Sequence, residues 1–295
     1  MIGKKTSVVN RERYHQVIEN IDNLPSLPAI VSRLIQVVNS PESSADDAAK
    51  LIEQDPALTS KMIRLANSAF YGIPRSISSV TSAVVILGFN TLRSLALSAS
   101  VIKMFSSAQS AVINKDHFWK HSITCAIAAK IIVRHFMSVR MMDPESAFCA
   151  GILHDIGKLI FNEYVNEGYQ EACQYASKNK VSLLEAEKLI LGIDHAEIGR
   201  IIADKWALPL DLEYSLVYHH KPADADKLNE LVATVHLADI MAHRLGCGLW
   251  EDEYYNDEWV KARTVLQLRD EDYKKICDSL AENAEKSIEF FTIIN

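Results

Sequence analysis

Glycine and proline are scarce in this chain, 10 and 8 residues out of 295, against usual shares of roughly 7% and 5%. The shortage excludes collagen-like and Gly/Pro-rich low-complexity architectures and leaves few points where a helix must break. Cysteine is sparse as well: Cys125, Cys149, Cys173, Cys247 and Cys277 are odd in number, far apart and without a C-x-x-C pair. That argues against a disulfide framework or a zinc knuckle and for reduced thiols in a cytoplasm. No uncharged apolar run approaches the ~20 residues that span a bilayer, and the opening MIGKKTSVVN lacks the apolar centre of a signal peptide. A cytoplasmic protein with no membrane partner is expected. An excess of positive charge is also missing. The net charge is −7, and basic residues such as Lys61, Arg64, Arg75 and Arg93 are scattered, which speaks against nucleic acid as the partner. Finally, no segment alternates apolar and polar residues over the length of a strand.

What remains is 48% hydrophobic and patterned for helices, so the expected class is all-α. Ser44 with Asp47 three residues on forms a capping-box-like start. Asp55-Pro56 opens a second helix with Leu58, Met62, Leu65 and Ala69 on one face, closed by Gly72. SSVTSAVVILG ends at Gly88, and Asn90 is placed to cap TLRSLALSASVIKMF, whose apolar face is Leu92, Leu95, Ala99 and Ile102. The polar stretch 106–115 is the best boundary, dividing a helical first half (14–106) from a helical second half (107–290). There the pattern predicts helices over 117–137 and roughly 144–156, the latter stopping near Gly157. A capping box at Ser182–Glu185 follows, then a helix capped by Asp194 through Trp206, one started by Pro209, one over 228–244 and one over 270–287. WEDEYYNDEW (250–259) reads as a loop or surface helix.

Against this background GILHDIGKLI (151–160) sets His154, Asp155 and Lys158 in an apolar stretch, where an unpartnered charge costs several kcal/mol or changes protonation. The ten histidines include others in similar positions. His121 shares a helix face with Phe118, Cys125 and Ala128; His195 shares one with Ile198, Gly199 and Ile202. His219-His220 ends a helix, and Asp239 lies among Val232, Val235 and Ala242. For any one of them a satisfied core residue is the commoner explanation; seven independent explanations of that kind are not. Imidazole nitrogens and carboxylate oxygens are the donors that Mn, Fe, Zn or Mg-type sites require. His236, Asp239 and His243 also approach a single face, but a local triad leaves the remaining pairs unexplained. His15, His117 and His135 read as surface or packing residues.

The blocks LPSLPAIVSRLIQVVNS, QDPALTSKMIRLANSAFYG and VTSAVVILGFNTLRSLAL, followed by FWKHS, GILHDIGKL, DHAEIGRIIADKWALP, YHHKP and VHLADIMA, resemble the HDOD domain, the HD-related output domain of bacterial signalling proteins. The resemblance covers about 14–245. It implies an HD-superfamily-like second half related to metal-dependent phosphohydrolases. The ligand set it implies is His121, His154, Asp155, His195, His219, His220 and Asp239, with Asp155 as the bridge and Lys158 at the position of a phosphate-contacting lysine. The cofactor it implies is a divalent metal (Fe or Mn, with Mg, Zn and Ni as further options), dinuclear when present.

Departures from the HD-GYP branch matter here. That branch continues after its His-His pair into a Gly-Tyr-Pro loop; here KPADADKLNE follows, so cyclic-di-GMP hydrolysis is not inherited. Many HDOD proteins have lost ligands and serve as non-catalytic modules, whereas this chain keeps a complete set. Two functions follow. One is a signal-transduction module that binds a signalling protein or a nucleotide-like ligand. The other is a metal-dependent phosphohydrolase acting on a nucleotide or other phosphoester, with Asp155 and Lys158 in the catalytic centre. The regulatory function ranks first.

Overall fold

The structure, a computed structural model, describes residues 13–293 apart from 16, 21–23, 25, 41, 75, 107–111, 137–141, 227–228, 249–256 and 284–288, and without the side chains of 38 and 39. The opening MIGKKTSVVN, half of the boundary stretch 106–115 and most of WEDEYYNDEW therefore lie outside the described residues.

Among the described residues there is no strand. The first half carries α1 (Ala29–Asn39), α2 (Ala45–Ile52), α3 (Pro56–Ala66), α4 (Val80–Leu87) and α5 (Phe89–Ser106). The second carries α6 (Lys115–Phe136), α7 (Pro144–Leu153), α8 (Ile156–Tyr164), α9 (Asn166–Asn179) and α10 (Leu183–Leu191). It continues with α11 (His195–Trp206), α12 (Leu210–Tyr218), α13 (Asn229–Ala242), α14 (Asp257–Leu266) and α15 (Asp270–Glu282). None of these helices is long and apolar enough to cross a membrane.

Local chemistry starts most of them where the sequence pattern says. Ser44 and Asp47 close a reciprocal capping box on α2, and Asp55 Oδ1 accepts from the Ala57 and Leu58 amides at the start of α3. Asp143-Pro144 repeats that device on α7, and Asp194 with Glu197 boxes α11. Several boundaries differ from the pattern, three of them at residues it names. α3 ends at Ala66, leaving Ala69 exposed in the turn that Gly72 closes at φ 60°. α5 starts at Phe89, so Asn90 is inside it. α7 ends at Leu153, and Gly157 sits within α8 instead of stopping a helix.

α6 is the axis of the second half. Its side chains from Ile123 to Lys130 are all buried, the signature of a helix surrounded by others. It lies against α7, α13 and α15, while α5 of the first half packs on α7. One apolar core runs from Val17 to Phe290 through both halves.

Polar residues in the first half have local work. The Asn67 side chain donates to the Ile63 and Ile77 carbonyls and accepts from the Ile77 amide, tying the end of α3 to the segment before α4. Ser68 Oγ donates to Leu65 O. The Arg93 side chain is buried and reaches Ser146 on α7, so it contributes nothing to a basic surface.

Candidate metal centre

Five helix ends and helix faces deliver the polar residues to one place. His121 comes from the middle of α6, His154-Asp155 from the two-residue junction between α7 and α8, and His195 from the first position of α11. His219-His220 follows α12, and Asp239 lies on α13. Residues adjacent on a helix diverge by about 100°; the break after Leu153 is what allows His154 and Asp155 to address the same space.

Close backbone approach makes the convergence possible. A Cβ at Gly151 would lie 2.5 Å from Ala126 Cα, so α7 crosses α6 nearly backbone to backbone. A Cβ at Gly157 would lie 2.1 Å from His195 O, so α8 meets the start of α11 in the same way. These contacts bring His154 to His121 and Asp155 to His195.

The two Asp155 oxygens face different groups. Oδ2 lies 3.6 Å from His121 Nε2 and 3.4 Å from His154 Nε2. Asp239 Oδ1 completes that side, 3.2 Å from His121 Nε2 and 3.7 Å from His154 Nε2. Oδ1 lies 3.5 Å from His195 Nε2 and 3.6 Å from His219 Nε2, with His220 Nε2 2.7 Å from His195 Nε2. The seven side chains therefore form two adjoining groups, each with donor atoms within 4.8 Å of one another. His121, His154, Asp155, His195 and His219 are at most 1% exposed; Asp239 and His220, one from each group, are partly open.

Hydrogen bonds on the far side of the rings set their tautomers. His154 Nδ1 donates to Gly151 O (2.9 Å) and His219 Nδ1 to Leu216 O (3.0 Å). His195 Nδ1 donates to Glu187 Oε2 at 2.6 Å. With Nδ1 committed to these acceptors, each ring turns its Nε2 inward. His219 Nε2, Asp155 Oδ1 and Asp239 Oδ1 are buried with no hydrogen-bond partner.

The HDOD domain family matches residues 24–222, more than half of the chain and all of the cluster except Asp239. The chain belongs to the HDOD family. An HDOD domain protein of unknown function from Geobacter sulfurreducens has the same fold, with a TM-score of 0.77, 27% identity and coverage of 100% of this chain and 98% of the other. A candidate phosphohydrolase from Shewanella amazonensis SB2B superimposes with a TM-score of 0.74 over 95% of this chain and 98% of its own, at 24% identity. An uncharacterized protein of Treponema pallidum (strain Nichols) is 22% identical over 225 residues, 76% of this chain. The HDOD chain spans only 43% of the length of that relative.

Electrostatics at this HDOD centre follow from burial and proximity. Burial alone would raise the Asp155 carboxyl, but the neighbouring His154 and Lys158 charges override it and hold the group well below the usual carboxylate range. Burial would likewise lower the His154 imidazole, and the Asp155 carboxylate outweighs it, so His154 is raised. For His219 burial wins over the Asp155 carboxylate and pushes the imidazole down to about 4. His220 is also held well below its ordinary value, by burial and then by the neighbouring His219 and His195. Lys158 Nζ lies 2.7 Å from Asp155 Oδ2 and serves as its counter-ion.

Three residues outside the expected ligand set also belong to this constellation, and of these Glu187 alone has no place in the sequence analysis. Glu187 is fully buried and accepts from both the ring and the backbone amide of His195. Its signal was available: Leu183, Glu187 and Leu191 recur at i, i+4 and i+8, a buried stripe interrupted by one carboxylate. His236 Nδ1 donates to His219 O (2.8 Å) and anchors the backbone of the His-His pair. His243 Nε2 lies 3.3 Å from Asp239 Oδ1, one turn along from it. The local triad of His236, Asp239 and His243 is thus split, with His236 bonded to backbone on one side and His243 beside Asp239 on the other. Of the histidines read as surface or packing residues, His15 and His117 are exposed and His135 pairs with Asp272 at 3.0 Å.

Glu187→Ala is expected to weaken metal uptake by about 10–100-fold, the usual cost of losing the partner that orients a ligating histidine. Glu187→Gln, which keeps a hydrogen-bond acceptor, should recover part of it. Titration of the purified protein with Mn(II) against a competing chelator checks both.

Proposed function

We propose that this chain is a signal-transduction protein whose buried cluster holds two divalent metal ions and that it acts by binding a nucleotide-like ligand or a partner protein. The observation that carries the reading is the meeting of His219 Nε2 and Asp155 Oδ1. They are 3.6 Å apart, buried, and without hydrogen-bond partners. Two electron-rich atoms held together out of water fit a site built around a cation. His121, His154 and Asp239 with Asp155 Oδ2 would hold one ion; His195, His219 and His220 with Asp155 Oδ1 would hold the other. An imidazole–carboxylate donor set without thiolate suits Fe or Mn, and also accommodates Zn, Ni or Mg.

A second reading, a metal-dependent phosphohydrolase, is favoured by the intact ligand set and by Lys158 beside it. Divalent ions in such a centre neutralise phosphate oxygens and bring the pKa of water down toward ~7. Lys158 would add positive charge where a phosphoryl group sits, and Asp155 would hold the ions in register. The regulatory reading ranks first for two reasons. Lys158 is 4% exposed and already committed to Asp155, and only Asp239 and His220 open the cluster to solvent.

Metal analysis of protein purified without an affinity tag and loaded with Mn or Fe is expected to give about two equivalents per chain; none bound after loading overturns the metal reading. Assays of the loaded protein on nucleotides and generic phosphoesters then separate the two functions. Hydrolysis that disappears in His154→Ala establishes the enzyme, and its absence from a fully loaded protein supports the regulator.

A further inference from the structure

A second polar site lies away from the histidine cluster. A cleft of about 350 Å³ opens between the C-terminal half of α6 and α15, with Phe70 of the first half at its edge. Four basic side chains line it, Lys130, Arg134 and His135 from α6 and Lys275 from α15, and Ser279 and Asn283 add polar groups. No acidic side chain is among its described lining residues, although the protein as a whole carries a net charge of −7.

The charges do not all cancel. Lys130 is 2% exposed at the floor of the cleft, pairs with Glu145 Oε1 at 2.5 Å and lies over the Phe70 and Tyr71 rings at 4.8 and 4.6 Å. His135 pairs with Asp272. The side chains of Arg134 and Lys275 form no hydrogen bond or ion pair with any described residue, and both are exposed at the mouth. Arg134 and His135 sit in the last turn of α6, where the helix dipole favours cations. That accounts for neither Lys130, two turns deep in the helix, nor Lys275 on the opposite wall.

We propose that this cleft binds a phosphate dianion carried on a compact apolar body, a nucleoside monophosphate being of the size that fits. Arg134 and Lys275 supply two positive charges that no described residue pairs with, matching one dianion, and the Lys130 ammonium, itself paired with Glu145, lies at the floor. Ile127, Ile131 and Ile276 supply apolar wall. The volume is near the lower end of the ~300–1,000 Å³ usual for small-molecule sites, which favours one phosphorylated unit over a dinucleotide. Lys130 follows His121 on the same helix by nine residues, roughly 13 Å at 1.5 Å per residue, so this is a separate site and does not depend on the metal reading. Its position, with Phe70 and Tyr71 of the first half packed on Lys130, places the ligand where the two halves meet.

Isothermal titration calorimetry of the full chain with adenosine 5′-monophosphate, in low salt and with a chelator present, tests the proposal. Saturable one-to-one binding is expected. The Arg134→Ala/Lys275→Ala double variant, both positions being exposed, should keep its helical circular dichroism and bind at least tenfold more weakly, and adenosine should bind at least tenfold more weakly to the unaltered protein. Inorganic phosphate matching the nucleotide, with the same dependence on Arg134 and Lys275, supports the anion site and makes free phosphate its source. Absence of saturable binding, or a double variant that binds as tightly as the unaltered protein, overturns it.

Discussion

Asp155→Asn is expected to remove both metal equivalents, whereas His121→Ala and His219→Ala should each remove one. The asymmetry follows from the geometry of one carboxylate. Asp155 Oδ2 faces His121 and His154 while Oδ1 faces His195 and His219, so one side chain would supply charge to both ions, Asp239 adding a second carboxylate on the His121 side only. Each histidine serves only one group. The loss at each position should be on the order of 100-fold or more, above the 10–100-fold typical when only an outer partner is lost. Asparagine keeps the shape but not the charge, and it takes from the buried Lys158 the carboxylate charge 2.7 Å away. Breaking a buried pair from one side costs about 3–5 kcal/mol, so the variant should also unfold at lower denaturant. Asp155→Asn/Lys158→Met should recover stability without recovering metal, separating the two effects. Elemental analysis of folded, loaded protein reads the outcome, and one full equivalent retained in Asp155→Asn rules out the bridge.

Gly157→Ala should be among the most damaging single-atom-scale changes in the chain. The added methyl would lie 2.1 Å from the His195 carbonyl oxygen and 2.8 Å from its carbon. Both are backbone atoms at the capped start of α11, which Asp194 and Glu197 hold in place, so neither can swing aside. Overpacking of a tight interior costs about 1–3 kcal/mol and occasionally more; with backbone on both sides, about 3 kcal/mol or more is expected. The shift that relieves the clash carries His195 away from Asp155, so metal loss should fall first on the group containing His195, His219 and His220. Gly168→Ala is the control. Its Cβ would meet only side-chain atoms, the end of Leu191 at 2.8 Å and Val165 Cγ1 at 3.5 Å, and a helical alanine is intrinsically preferred to glycine by about 1 kcal/mol. Stability within about 1 kcal/mol of the unaltered protein is expected there. Urea unfolding monitored by circular dichroism compares them, and a Gly157→Ala protein as stable as Gly168→Ala contradicts the close-approach account.

The same glycine shows where sequence reasoning stops. After an apolar helical run a glycine reads as a helix stop, and Gly157 fits that pattern; its real constraint is a neighbour 38 positions later in the chain. The Asn90 side chain suits a cap, but the chain turns helical at Phe89 immediately after Gly88, whose φ of 86° ends α4. Glu187 joins the site only through His195, which lies beyond the end of its own helix.

By contrast, the helical class, the capped starts at Ser44, Asp55 and Asp194, and the set of side chains unsuited to a bland core were all legible in the sequence. Periodicity and capping depend on residues within a turn or two of each other, and burying a lone imidazole or carboxylate is costly wherever it occurs. Tertiary structure alone decided which Asp155 oxygen faces which histidines, that His154 and Asp155 occupy a junction between helices, and that four basic side chains gather around one cleft. Those are matters of distance between segments far apart in the chain. Helix crossings set such distances to within an ångström, through contacts that no local pattern encodes.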